Sequence, residues 1–355
     1  MDHDINSLYE KLGSIRKVAE HLGIAKSTVH DRLTRSKEGR LIGDELSIPH
    51  LPSDNLPINE RIEILCRKFQ TKKRAYDLNT WFPVTCHDPL PIGLVMFGDP
   101  HLDNSGTNWP LIRAHTELVA NTSGCYGINI GDTTDNWNGS LARLYAHNSV
   151  TVKEARELAE WFMHGSGVPW LVWLVGNHDA WGDGSAIIDL LSKKHGTKKI
   201  VAHEWEARFK IVFPHCNNHE YMVNCAHNFP GNSQWNPLHG LAKAAMLKED
   251  ADILACGHLH NYAYSTFENS NRGKIQHLLR VRGYKFMDSY ARNMGIHEQE
   301  HGAAGMFVMD PWATEKPAQL VFFPSVEAGC DYLNFIRAKR NGINQARSAA
   351  RSRPK

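Results

Sequence analysis

Ile92-Gly93-Leu94-Val95-Met96-Phe97-Gly98-Asp99-Pro100-His101 runs from an unbroken apolar stretch into two side chains that can ligate divalent metals. A run this short and this apolar reads as a strand buried on both faces, so its sheet is covered on both sides. The polar pair then falls at the strand's carboxyl end. The construction recurs downstream. Tyr126–Ile130 leads into Gly131-Asp132-Thr133-Thr134-Asp135, Trp170–Val175 into Gly176-Asn177-His178-Asp179, and Ile253–Cys256 into Gly257-His258-Leu259-His260. Helical stretches separate these strands at residues 109–122, 150–164, 184–195 and 238–248. Residues 208–225 read as a hairpin turned at Asn217-Asn218 and ending before His227, and the remainder to about 325 is β-rich. Strands alternating with helices give an α/β fold that collects its functional side chains at strand carboxyl ends.

A lone D-x-H or H-x-H recurs by chance, but three such motifs, each behind an apolar strand, do not. Asp, His and Asn donors without Cys suit manganese, iron, zinc or magnesium at a hydrolytic centre. His227 has no motif beyond the apolar strand before it. Among 21 histidines, His215, His219 and His239 compete with it.

In order and content, the motifs over residues 91–325 resemble the calcineurin-like metallophosphoesterase superfamily. The resemblance implies a four-layer α/β/β/α sandwich over 90–327 and two divalent metal ions, Mn²⁺ foremost, with Fe, Zn, Mg or Ni as alternatives. It assigns Asp99, His101, Asp132 and His260 to one ion and Asp132, Asn177, His227 and His258 to the other. Asp132 would bridge the pair, with a hydroxide between the ions attacking phosphorus in line. His178 takes the place of the general acid, and Asp135 that of the carboxylate partner that orients it. Asp179 is the nearer alternative partner in sequence. Protein-phosphatase members carry arginines after the second Asp of the GDxxD block and before GNH, where this chain has Asn136 and Val175. Losing both clamps for a phosphomonoester dianion favours a phosphodiester, as in the repair-nuclease branch. Cyclic-nucleotide phosphodiesterases lack those arginines too.

The chain's 355 residues, 42% hydrophobic and 22% charged, suit a globular protein with one large core and smaller appendages. No apolar run reaches the roughly 20 residues that span a membrane. The start shows no signal-peptide core, and seven scattered cysteines form no framework, so a cytoplasmic protein with reduced thiols is expected. The net charge of +2 hides a division. Residues 86–331 carry 19 basic against 26 acidic side chains, whereas 332–355 carry seven basic and none acidic. A basic tail over 328–355 suits a polyanionic partner or a solvated end.

Residues 1–36 resemble a helix-turn-helix. Ser14 is the expected N-cap of its second helix, Gly23 makes the turn, and Ala19, Val29 and Leu33 face inward. That reading places Lys26, Ser27, Thr28, His30 and Arg32 against DNA. A trihelical assembly module is the alternative. Residues 37–58 read as a linker. Residues 59–89 read as a basic helix and connector, with Ile62, Leu65, Phe69 and Leu78 inside. Arg280 and Arg282, in Arg280-Val281-Arg282-Gly283-Tyr284-Lys285, suggest a phosphate-contacting loop. Together these features predict a metal-dependent DNA nuclease, with nucleic acid as partner and a homodimer as an option. The alternative is a phosphatase or small-nucleotide phosphodiesterase whose N-terminal module serves regulation or assembly.

Overall fold

The computed structural model describes residues 5–37, 40–42, 46–48, 57–137, 142–144, 148, 150–194, 200–231, 233, 235–247, 249–270, 273–286 and 301–351. The chain divides into two compact units, Met1–Lys73 and Arg74–Lys355.

In the first unit, α1 (Ile5–Leu12), α2 (Ile15–Leu22) and α3 (Lys26–Lys37) enclose Val18, Ala19, Val29 and Leu33. Gly23 ends α2 in the left-handed conformation at φ 64°, which a glycine adopts without steric cost. Ser14 is extended, but its side chain makes no capping hydrogen bond. Part of the expected linker is an antiparallel ribbon, β1 (Arg40–Ile42) with β2 (Leu46–Ile48). The helix α4 (Ile58–Asn79) follows. Ile62, Leu65 and Phe69 do not lie inside: they are 50%, 58% and 64% exposed. The side chain of Leu78 lies outside the described ones.

The second unit holds two six-stranded sheets. One runs β14 (Leu320–Phe323), β13 (Ala304–Met309), β4 (Ile92–Phe97), β5 (Cys125–Asn129), β6 (Trp170–Val175), β7 (Val201–Glu204). In it β4 to β7 are mutually parallel, and β13 is antiparallel to both its neighbours. The other runs β11 (Ala263–Asn269), β12 (Lys274–Arg280), β10 (Ile253–Cys256), β9 (His219–Ala226), β8 (Glu206–Phe213), β3 (Phe82–Thr85). There β9, β10 and β12 are parallel, while β8 and β9 form the expected hairpin with Asn217 and Asn218 both at positive φ.

Strand alternation sorts the core. Leu94, Met96, Ile128 and Val172 of the first sheet pack against Phe209, Val223, Ile253 and Leu279 of the second. Val95, Phe97 and Trp173 point the other way, toward Ile112 of α5 (Trp109–Asn121), Ala159 of α6 (Val152–Glu160) and Ile188 of α8 (Gly184–Lys194). Behind the second sheet, Leu254 and Leu278 meet Leu241 and Ala245 of α9 (His239–Leu247). Helices, sheet, sheet and helix make the expected four-layer α/β/β/α sandwich.

The expected C-terminal tail is corrected. Past α7 (Asn177–Ala180) and α10 (Lys316–Gln319), the chain closes with α11 (Val326–Arg351), whose Val326, Cys330, Leu333 and Ile336 join the core beside β4 and β13. Its basic residues are partly structural: Arg337 donates to Asp88 Oδ2 at 2.7 Å and to the Pro91 carbonyl at 2.6 Å, and Arg340 to Asp310 Oδ2 at 2.6 Å.

Candidate metal centre

The carboxyl ends of β4, β5 and β6 in one sheet and of β9 and β10 in the other converge on a single locus, and every motif residue sits just beyond one of them. Delivering them there strains the backbone. His101, Asp132, Asn136, His258 and His260 all have φ between 39° and 69°, a region L-residues adopt at a cost. Two leading glycines explain their place in the motifs. A Cβ on Gly176 would strike Asp132 Oδ1, and one on Gly257 would strike Asp99 Oδ1.

Two groups of donors result. In the first, His260 Nε2 lies 3.3 Å from Asp99 Oδ2 and 3.1 Å from His101 Nε2. In the second, His227 Nε2 lies 3.2 Å from Asp132 Oδ2, 3.0 Å from Asn177 Oδ1 and 3.1 Å from His258 Nδ1. His227 Nδ1 donates to the Ile130 carbonyl at 3.0 Å, which fixes its tautomer and leaves Nε2 for a ligand. The competing histidines lie elsewhere: His215 binds the His87 carbonyl, His219 opens β9 and His239 opens α9.

These donors fit divalent cations. Asp99 Oδ1 is buried without a hydrogen-bond partner, and ring nitrogens face each other at ligand-to-ligand spacing. Burial pulls His227 down, but Asp132 and Asp99 outweigh it and lift the imidazole to about 9, so the pocket draws positive charge. Burial and then Lys285 lower His101 to about 4, leaving a neutral ring with a free lone pair at Nε2.

The surroundings of His178 differ from expectation. Its Nδ1 donates to the backbone carbonyl of Asp135, not to the carboxylate. The Asp135 carboxylate turns to His101, with Oδ1 2.8 Å from Nδ1 and 3.3 Å from Lys285 Nζ, while Oδ2 accepts from Asn104 Nδ2 at 2.6 Å. Burial would raise Asp135, but His101, Lys285 and Asn104 hold it below the usual carboxylate range. Asp179 is not the partner of His178 either. Its oxygens accept from Thr133 N at 2.9 Å and Gly176 N at 3.0 Å, tying two motif loops together. Indole rings pack on His178 instead, Trp137 at 4.9 Å and Trp181 at 4.2 Å between centroids. Asn136 Nδ2 donates to the carbonyls of His178 and Trp181, both at 2.8 Å, and so holds the loop.

The sequence reading missed Asp103, Asn104 and Lys285. Asp103 Oδ1 accepts from Asp135 N at 2.6 Å, and Lys285 is buried with its ammonium 5.4 Å from the Trp137 ring centroid. No motif announces them, although Asp103 and Asn104 directly follow the first one. Arg280 and Arg282 are corrected. Both are buried, 0% and 3% exposed, and their guanidinium groups donate inward. Arg280 binds the carbonyls of Pro237 and Gly257 and Asn228 Oδ1, and Arg282 those of His301 and Lys285. They brace loops and do not face a phosphate. In the first unit Lys26, Ser27, His30 and Arg32 are exposed, whereas Thr28 Oγ1 donates to Glu60 Oε1 at 2.8 Å.

The four layers and the strand-end motifs together are the arrangement that the sequence resemblance implies. No family model and no curated protein matches the chain. Solved structures similar to it include Vps29 of Entamoeba histolytica, at 14% identity over 62% of this chain and 86% of that one, TM-score 0.31. The calcineurin-like phosphoesterase YfkN of Bacillus subtilis is similar at 11% identity over 69% and 99%, TM-score 0.32. NAD nucleotidase of Haemophilus influenzae is similar at 10% identity over 66% of this chain and 49% of that one, TM-score 0.36.

Proposed function

We propose that this protein is a metal-dependent phosphodiesterase that cleaves DNA. The observation that carries the reading is the pair of adjoining donor groups, Asp99/His101/His260 and Asp132/Asn177/His227/His258, with His178 beside them, close to His101 and Asp135 but with its Nδ1 given to the Asp135 carbonyl. When bound, two divalent cations, Mn²⁺ foremost, would polarise a phosphoryl oxygen and make water nucleophilic near neutral pH.

The chain's own residues do the rest. Asp132, shared between the two groups in this reading, sets their spacing and accepts the His178 backbone N–H at 2.9 Å through Oδ1. That bond and the Asp135 carbonyl fix the orientation of the imidazole with Nδ1 protonated, so Nε2 is the nitrogen left to the departing oxygen, and the doubly protonated ring is the form that gives it a proton. Trp137 and Trp181 limit water around that ring.

Charge supports a diester over a monoester. Asn136 is spent on two carbonyls, Val175 is buried, and Arg280, Arg282 and Lys285 bind protein groups. A clamp for a phosphate dianion would need a cation that these residues do not offer. Support for DNA comes from the exposed Lys26, Ser27, His30 and Arg32 on α3, and from Arg67, Lys68, Lys72, Lys73 and Arg74 on α4, all exposed.

The test incubates the protein with Mn²⁺ and bis-p-nitrophenyl phosphate, p-nitrophenyl phosphate or end-labelled DNA, with His178→Ala and Asp132→Asn as controls. Diester and DNA turnover lost in both variants is the expected result. Monoester turnover with DNA untouched overturns it.

A further inference from the structure

β7 ends at Glu204 in one sheet and β8 begins at Glu206 in the other, so Trp205 alone carries the chain between the sheets. Its backbone is held on both sides. Trp205 N donates to the Val175 carbonyl at 3.3 Å, and its carbonyl accepts from His227 N at 2.7 Å. The crossing needs φ +63°, where a bulky aromatic side chain is an outlier and glycine or asparagine would sit at less cost.

Core packing does not account for the indole, which is 42% exposed. One edge rests on the second donor group, 5.2 Å from the His227 ring centroid at an interplanar angle of 77° and 6.3 Å from that of His258. The rest of the indole is open to solvent. The tryptophans near the candidate acid are engaged differently: Trp137 and Trp181 pack on His178 and lie 6.1 Å from each other.

We propose that Trp205 is a nucleobase subsite, a stacking platform for the base next to the scissile phosphate. The proposal rests on the phosphodiesterase reading and extends it to the substrate. Every base offers a π face, so such a platform supplies affinity without sequence choice. A strained, half-exposed indole beside the ligands His227 and His258 would place a base within one nucleotide of phosphorus held there.

Binding without turnover is the primary test. The dinucleotide d(TpT) is titrated in Mn²⁺ into His178→Ala, His178→Ala/Trp205→Ala and His178→Ala/Trp205→Phe proteins by calorimetry, and Mn²⁺ alone is titrated into each. Removing the ring should weaken d(TpT) about tenfold, and phenylalanine should restore most of that. The Mn²⁺ affinity should not follow. Equal d(TpT) affinity in the first two proteins overturns the proposal. So does a matching loss of d(TpT) and Mn²⁺ affinity, which would make the indole only a cover for His227. In turnover, Trp205→Ala should lower about tenfold the ratio of kcat/KM for thymidine 5′-(p-nitrophenyl phosphate) to that for methyl p-nitrophenyl phosphate, and an unaltered ratio counts against a base platform. If wild-type protein cleaves neither ester, the phosphodiesterase reading fails by itself, because the d(TpT) titration needs no chemistry.

Discussion

At the scale of single residues, the unforeseen feature is a buried cation behind a proposed metal ligand. Lys285 pairs with Asp135, which faces His101 Nδ1 and so fixes which nitrogen that ring presents. Outer partners of this kind typically govern metal affinity by about 10–100-fold. Lys285→Met should therefore weaken Mn²⁺ binding by about that factor in calorimetry, while Lys285→Arg keeps much of it; undiminished affinity in Lys285→Met would refute the coupling. His178→Ala should abolish turnover yet retain Mn²⁺ affinity, because His178 Nδ1 is engaged by the Asp135 carbonyl and the ring is not among the donors proposed for either ion. A pH-sensitive group lies away from the centre. Burial lowers His277 to about 4, and its Nδ1 lies 2.8 Å from the Tyr264 hydroxyl. Between the unfolded value of about 6.5 and the folded value, the unfolded chain binds the extra proton. Stability from this group is thus present above about 6.5 and lost as pH falls toward 4. His277→Gln should flatten that part of the denaturation curve, and an unaltered slope would assign it to other groups. The proposed metal ligands were legible because each follows an apolar strand, and all but His227 sit in a short motif. Lys285 was not, since a lysine 150 positions from Asp135 gives no local sign that it turns inward.

At the scale of elements, strands were easier to place than the environment of helices. Buried runs such as Ile92–Phe97 leave no choice of face, because every side chain along them is covered. For α4, spacing showed that Ile62, Leu65 and Phe69 share a side, but periodicity cannot say whether anything covers that side. Arg280 and Arg282 mislead for a related reason: charge in a sequence does not reveal that a guanidinium is buried among carbonyls. The basic composition of α11 hides Val326, Cys330, Leu333 and Ile336, four apolar residues at helical spacing. Leu333, fully buried, meets the sheet there. Leu333→Ala should cost about 2–5 kcal/mol in denaturant unfolding. A change below about 0.5 kcal/mol, the range of ordinary surface substitutions, would show that α11 does not support the sandwich.

At the scale of the whole molecule, the chemistry and the DNA-binding residues proposed on α3 fall in different units. Every donor from Asp99 to His260 belongs to Arg74–Lys355, and the exposed α3 residues Lys26, Ser27, His30 and Arg32 belong to Met1–Lys73. The first unit has its own small core, and the buried clusters of the second unit draw only on residues of Arg74–Lys355. Removing residues 1–57 should therefore leave turnover of bis-p-nitrophenyl phosphate within about twofold, since the two cores share no residue and effects at sites without shared partners add within about 0.3–0.5 kcal/mol. DNA binding should respond differently. Each phosphate that the protein no longer neutralises lowers the slope of log affinity against log salt by about 0.9, so the truncated protein should bind end-labelled DNA more weakly and with a shallower slope. Equal affinity and slope in both proteins would make the three-helix unit an assembly module and leave α4 and the metal centre to hold the nucleic acid. Loss of diester turnover on truncation would mean that the second unit depends on the first, against the separation of their cores.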